Sequence, residues 1–114
     1  LMMLSYYKEG RISLEKVVEK MSHAVADCFR IKNRGYIREG YFADLVVVDL
    51  NQSTTVKKEN LLYKCGWSPL EGVTFPAAIF QTFVNGNLVY NNSIYGNNAW
   101  DESLKGERLL FNAS

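Results

Sequence analysis

An Asn-Gly pair between two apolar runs is the feature that most constrains how this chain can fold. Residues 78–84 (A-I-F-Q-T-F-V) precede Asn85 and Gly86, and residues 87–90 (N-L-V-Y) follow them. Both central residues of a type I′ turn need positive φ, which asparagine and glycine tolerate, and the twist of this turn suits two antiparallel strands. The sequence therefore predicts a β-hairpin, and the rest of the chain must extend or cover its sheet.

A second strand is predicted earlier in the chain, at residues 43–50 (A-D-L-V-V-V-D-L). A β-branched run of this length, bounded by turn residues, is typical of a strand buried on both faces. Gly35 and Gly40 precede it and permit tight turns with positive φ, with a short extended piece at Ile37. Residues 51–55 are compatible with a strand, residues 57–64 with a loop or short helix, and residues 65–72 form a loop.

Residues 13–29 carry the strongest helical pattern. Apolar side chains recur there every three or four positions, which predicts one face of an amphipathic helix. Ser13 is a suitable N-cap, and Glu15 in the first turn is favoured by the helix dipole. The apolar positions are Leu14, Val17, Val18, Met21, Ala24, Val25 and Cys28. Residues 1–8 are predicted to end another helix, joined to this one by residues 10–12.

The order helix, helix, strands, loop, hairpin and tail describes an incomplete architecture. A sheet of three or four strands, with helices only at its start, leaves exposed edges and a half-covered face. The apolar residues 1–4 do not resemble a natural beginning. We therefore expect the chain to have been cut from a longer one. Its tail, after residue 90, is expected to wrap over a neighbouring surface with Trp100 and residues 109–111 as anchors.

Composition excludes several classes of function. Thirteen basic and twelve acidic residues leave a net charge of +1, and Lys57-Lys58 is the longest basic run, so nucleic-acid binding is not favoured. The apolar start lacks the length of a membrane span and the basic region of a signal peptide. Cys28 and Cys65 are therefore expected to be free thiols of a cytoplasmic protein, although a disulfide stays an alternative.

Residues 35–49 (G-Y-I-R-E-G-Y-F-A-D-L-V-V-V-D) carry a resemblance to a known family. They resemble the G-x-I-x-x-G-x-x-A-D-L-V-V-x-D signature near the C-terminus of amidohydrolase-superfamily enzymes. Residues 22–31 are similar to the preceding S-x-N-P-A-x-x-F-G-L helix, departing from it at Ala24, Val25 and Arg30. The first two departures suggest a helix that runs on without the break that Asn-Pro usually causes.

Two further motifs favour one branch of that superfamily. W-S-P-L-E-G at residues 67–72 and V-N-G-N-L-V-Y at residues 84–90 resemble the corresponding patterns of class I dihydroorotases, more than those of hydantoinases or allantoinases. The resemblance implies reversible interconversion of dihydroorotate and N-carbamoyl-L-aspartate in pyrimidine biosynthesis. It also implies zinc, held by an H-x-H motif, further histidines and acidic or carboxylated side chains.

The resemblance further implies an α+β fragment of three parts. Residues 1–31 would be the last helices of a (β/α)₈ barrel, residues 32–92 the C-terminal part of a small β-sandwich domain, and residues 93–114 a C-terminal extension. The implied partners are the remainder of the amidohydrolase chain, a second copy in a homo-oligomer and, for inactive relatives, aspartate carbamoyltransferase. Neither nucleic acid nor membrane is implied.

No residue of this chain is predicted to be catalytic, to bind a cofactor or to ligate zinc. His23 is the only histidine, and it is expected to be an ordinary helix-face residue. Asp44 and Asp49 lie roughly 16 Å apart on an extended strand and point to opposite faces, so they are expected to make end-capping and loop hydrogen bonds. Cys28 and Cys65 do not have a usual ligand spacing with His23, and neither has an evident base. The zinc ligands are therefore expected upstream, and the isolated chain is expected to be inert.

A second hypothesis is a free-standing β-rich interaction module without catalysis. It would use exposed aromatic side chains as a binding face, at Tyr41, Phe42, Trp67 and Phe75. This hypothesis predicts a stable monomer with a closed sheet, whereas the fragment hypothesis predicts exposed sheet edges and self-association.

Overall fold

The computed structural model describes residues 1–92 and 98–113. Helix α1 spans Met2–Lys8, α2 spans Leu14–Val18 and α3 spans Ala24–Cys28. A π-helical turn, Glu19–His23, joins α2 to α3 without a break. The two predicted helices and their connection are confirmed, but the second is not α-helical throughout. A π turn inserts an extra residue per turn, which rotates the face that follows it.

Both ends of this second helix are capped as the backbone requires. The Ser13 hydroxyl accepts a hydrogen bond from the Lys16 N–H at 3.2 Å, which confirms the predicted N-cap. At the other end, the Arg30 N–H donates to Asp27 and the Ile31 N–H donates to Ala26, at 3.1 and 2.9 Å. These two bonds are the Schellman arrangement, with Arg30 in the left-handed region at φ 54°.

The strands of the described residues form two antiparallel sheets. Strand β1 spans Leu45–Asp49, β2 Thr54–Thr55, β3 Thr74–Phe75, β4 Ala78–Val84, β5 Asn87–Asn92 and β6 Asn98–Trp100. Four of these strands pair in the order β1-β4-β5-β6, and the short β2 and β3 pair with each other. Between β2 and β3 lie one 3₁₀ turn, Lys58–Asn60, and the predicted loop.

The predicted hairpin is confirmed in strand and in turn type. Asn85 and Gly86 have φ of 51° and 79°, the two positive values that a type I′ turn needs. The register shifts between Thr82 and Phe83, which marks a β-bulge close to this turn.

Two expectations about burial are wrong. Strand β1 is not buried on both faces, because Val46 and Val47 are 57% and 42% exposed. The burial of a strand depends on what packs against it, and the described residues cover only part of β1. Phe75, which was expected on an exposed aromatic face, is buried.

The C-terminal tail is attached through its backbone. Strand β6 adds a fourth strand to the sheet, with Trp100 opposite Tyr90 and the two rings 4.3 Å apart. Phe111 forms an isolated antiparallel bridge with Ile31. The predicted anchors themselves, Trp100 and residues 109–111, stay 41–56% exposed. Residues 93–97 of the predicted extension lie outside the described residues.

The buried core is small. Its apolar members lie on the inner face of the second helix and around the start of β4, at Val17, Ala26, Phe75, Ala77 and Ala78. Among the helices in residues 1–92 and 98–113, none has the length and hydropathy to cross a membrane.

Candidate functional site

A buried arginine joins the segment before β1 to the tip of the hairpin. Arg34 is only 7% exposed, and its guanidinium is paired with the Asp44 carboxylate. The same guanidinium donates to Asn85 Oδ1 at 3.1 Å and lies 4.0 Å from the centre of the Phe42 ring. Burying a charge is costly unless it is paired and hydrogen-bonded, and here both conditions are met.

The Asp44 carboxylate completes this joint on its other side. Its Oδ1 accepts the backbone N–H of Asn85 at 2.9 Å, and the Gly86 N–H donates to the Ala43 carbonyl at 3.0 Å. The carboxylate therefore binds a cation and a turn amide at once. This arrangement confirms the loop hydrogen bond expected of Asp44 and gives it a structural role. We call Arg34, Asp44, Asn85 and Phe42 the polar joint.

Gly35 brings the segment that carries the polar joint against the second helix. Its φ is 82°, and a Cβ at this position would lie 2.4 Å from the Ala26 Cβ and 3.0 Å from the Ser22 carbonyl oxygen. Gly40 has a similar φ of 78°, but nothing lies within 4 Å of the Cβ it lacks. Gly35 is therefore required both by its backbone conformation and by close packing, and Gly40 by conformation alone.

His23 lies in a surface cluster of aromatic and charged side chains. Its ring stacks on Tyr36, with centroids 4.1 Å apart and planes within 7°. The Tyr36 hydroxyl donates to Asp27 Oδ2 at 2.6 Å. This hydrogen bond is the main cause that raises the pKa of Tyr36, and desolvation of the phenol is the second. The Arg38 guanidinium lies 4.1 Å from the same ring. The cluster fastens the turn after the helix to the helix face.

The other candidates considered from sequence are not brought together. Asp49 Oδ1 accepts the Asn51 N–H at 2.8 Å, which confirms its predicted loop hydrogen bond. Cys28 and Cys65 are free and exposed. Within residues 1–92 and 98–113, no three histidine, cysteine, aspartate or glutamate side chains are placed to hold a metal ion. A zinc centre, which needs about four converging ligands, does not fit these residues.

Sequence reasoning missed Arg34 and Asn85 as partners. Arg34 was part of a turn signal and Asn85 part of a hairpin signal, 51 residues apart. A hydrogen bond over that separation has no local pattern. The nearest clue was the pairing of β1 with β4, which brings residues 44 and 85 together once the strands are in register.

Exposed apolar side chains lie on both the second helix and β1. On the second helix, Val18, Met21, Val25 and Phe29 follow one another at helical spacing and are 42–63% exposed. On β1, Val46 and Val47 are exposed as well. We call these six residues the outer apolar faces. Groups of exposed apolar side chains such as these are typical of surfaces that pack against further protein.

The comparisons with known proteins decide the family. The sequence model described as "Amidohydrolase family" matches residues 1–89. This chain belongs to the amidohydrolase family. Among solved structures, an L-hydantoinase (dihydropyrimidinase) from Arthrobacter aurescens matches with a TM-score of 0.72 and 31% identity, over 86% of this chain and 22% of that one. The resemblance inferred from the sequence motifs is thereby confirmed, and the α+β fold is that of an amidohydrolase segment.

Curated dihydroorotases and allantoinases are similar to this chain. A dihydroorotase from Pyrococcus horikoshii is 38% identical over 88 residues, which cover 77% of this chain and 21% of that protein. A dihydroorotase from Pyrococcus abyssi is 39% identical over 77% of this chain and 22% of that protein. An allantoinase from Desulfitobacterium hafniense is 36% identical over 74% of this chain and 19% of that protein. The chain thus spans about a fifth of the length of these relatives.

Proposed function

We propose that this chain is the C-terminal structural part of a zinc-dependent cyclic amidohydrolase, with dihydroorotate as the preferred substrate. The observation that carries the proposal is the pair of outer apolar faces in a chain that matches one fifth of longer relatives. Such faces are stabilised by burial, at about 25 cal/mol per Å² of apolar surface. In the proposal they pack against the remainder of the amidohydrolase polypeptide.

The proposed division of labour follows the three predicted parts. Residues 1–31 close a (β/α)₈ barrel, residues 32–92 complete a β-sandwich, and the close packing of Gly35 on Ala26 and Ser22 holds the two units in a fixed relation. The reacting groups and the zinc ligands belong to the preceding part of the polypeptide, where an H-x-H motif is expected. In the same proposal, the complete amidohydrolase is cytoplasmic and assembles as a homo-oligomer.

Dihydroorotate is favoured over allantoin or a hydantoin by the names of the relatives and by W-S-P-L-E-G at residues 67–72. The test uses the complete product of the gene that encodes this chain, purified with zinc and assayed on all three substrates. We expect hydrolysis of dihydroorotate, with N-carbamoyl-L-aspartate as product. Turnover of allantoin or a hydantoin alone would contradict the substrate assignment while leaving the structural role in place.

The free-standing module remains the alternative, supported by Trp67, which is 62% exposed. Burial of Phe75 removes one of its four proposed contact residues. Light scattering on the purified 114-residue chain separates the two hypotheses. The fragment hypothesis predicts self-association through the outer apolar faces and the free edge of β1, whereas a stable monomer at all concentrations favours the module.

A further inference from the structure

The described tail is bound at both of its ends. At one end, β6 pairs with β5, and the Asp101 N–H donates to the Val89 carbonyl at 3.0 Å. At the other end, the Lys32 N–H donates to the Leu110 carbonyl at 2.8 Å, and the Asn112 N–H donates to the Arg30 carbonyl at 2.9 Å. The tail therefore connects the sheet to the residues that follow the second helix.

The second attachment lies directly on the helix cap. Arg30 holds the left-handed position of the Schellman arrangement, and its carbonyl accepts the bond from Asn112. Ile31 lies opposite Phe111 in the antiparallel bridge between these two bonds. The paired segment thus fixes the direction in which the chain leaves the helix, immediately before Arg34 enters the polar joint.

This attachment depends on backbone atoms. Leu110 and Phe111 are 56% and 55% exposed, so their side chains contribute little burial to it. A segment held by few hydrogen bonds and little buried surface opens locally at a lower free-energy cost than the whole fold. The tail residues of the attachment, 110–112, also lie beyond residues 1–89, the part that matches the family model.

We propose that Leu110, Phe111 and Asn112 form a releasable strap that locks the end of the second helix to the sheet. While the strap is closed, the backbone of Arg30 and Lys32 is paired and the helix end keeps its orientation. When the strap opens, this backbone loses these hydrogen bonds and the helix end is held through the Gly35 contact. The proposal rests on contacts within this chain and is independent of the proposed function.

The test compares Asn112→Pro with Asn112→Ala in the 114-residue chain by amide hydrogen exchange. Proline removes the N–H that donates to Arg30, whereas alanine keeps it. Phe111 is already extended in the bridge and is compatible with a following proline. We expect the Lys32 amide to exchange about tenfold faster in Asn112→Pro, as loss of a hydrogen bond implies, and at the parent rate in Asn112→Ala.

Trypsin supplies a second measurement, because it cleaves after Arg30 and Lys32, the residues whose backbone is hydrogen-bonded to the strap. Mass spectrometry should find faster cleavage at these two bonds in Asn112→Pro and in a chain that ends at Gly106. The amides of β4 and β5 should keep their exchange rates, since the hairpin does not use the strap. A Lys32 amide unprotected in the parent chain, or equal rates in the proline and alanine variants, would overturn the proposal.

Discussion

The polar joint buries a charged side chain, whereas the outer apolar faces expose apolar side chains to solvent. In the joint, a charged arginine is buried and its hydrogen-bonding groups are matched by Asp44 and Asn85. On the outer faces, valines, a methionine and a phenylalanine are exposed. The buried charge has its partners within this chain, whereas the outer apolar faces offer contact area to further protein. Substitutions in one region, each with a matched control, test this difference.

Gly35→Ala should cause the largest loss of stability. Strain at φ 82° and overlap with Ala26 and Ser22 together imply a loss of roughly 3 kcal/mol. Gly40→Ala is the matched control, with similar strain and open space, and should cost about 1 kcal/mol. Thermal unfolding followed by circular dichroism measures both. Equal losses for the two glycines would show that close packing on the helix does not matter.

Asp44→Asn should rank next, because it leaves the buried Arg34 guanidinium without its counter-charge. The Asp44 side chain is 34% exposed, so we expect a loss of about 2 kcal/mol, less than the value typical of a fully buried pair. Asp49→Asn is the control at the other end of β1, with an expected change within about 0.5 kcal/mol. Chemical denaturation should separate the two variants clearly. If Asp44→Asn left the stability unchanged, the ion pair between Arg34 and Asp44 would not contribute to the free energy of unfolding.

Arg30→Gly should stabilise the chain by about 1 kcal/mol, since glycine adopts the left-handed conformation at the helix end without strain. Asn33 has the same φ of 54°, but asparagine tolerates this region, so Asn33→Gly should be close to neutral. Unfolding midpoints of the two variants provide the check. A loss of stability in Arg30→Gly would show that the arginine side chain has another role there.

Polar substitutions on the outer apolar faces should hardly change the stability of the 114-residue chain. Met21→Gln and Val46→Thr act on side chains that are 61% and 57% exposed, so we expect changes within about 0.5 kcal/mol. The same substitutions should reduce self-association in light scattering, because they remove apolar contact area. Unchanged self-association in both variants would show that the outer apolar faces do not mediate contacts between copies of the chain.

Tyr36 gives the smallest effect and a defined pH dependence. Its pKa in the folded chain is raised, first because its hydroxyl donates to Asp27. The stabilising contribution is therefore complete below the ordinary tyrosine pKa of about 10 and is lost as the pH rises through the raised value. Asp27→Asn should lower the Tyr36 pKa in an ultraviolet titration of the phenol. An unaltered titration would contradict the hydrogen bond as its cause.

The hairpin, the two helices and the N-cap could be predicted from sequence because each depends on neighbouring residues. Asn85-Gly86 sets a turn, and Ser13 reaches an amide three positions away. The polar joint could not be predicted, since Arg34 meets partners 10 and 51 positions away. The predicted burial of β1 was wrong for a related reason. Valines predict a strand, but only the surrounding structure decides whether they are covered.

The family motifs added what local patterns could not. Residues 35–49 and 67–72 indicated an amidohydrolase, and the family match over residues 1–89 confirms it. The structure explains why the motif has glycine at positions 35 and 40, because both residues have positive φ. The tail after residue 90 had no motif, and its pairing with Ile31 and Lys32 became visible only in three dimensions.

An exchange of chain segments tests whether the outer apolar faces pack against the rest of an amidohydrolase. Residues 1–89 would replace the matching segment of the Pyrococcus horikoshii dihydroorotase, with and without Met21→Glu and Val25→Glu. We predict that the unmodified exchange folds and hydrolyses dihydroorotate within about tenfold of the parent rate, and that the charged variants lose assembly and activity. An exchange that folds without turnover, or charged variants that are equally active, would contradict the claim that these faces frame an amidohydrolase.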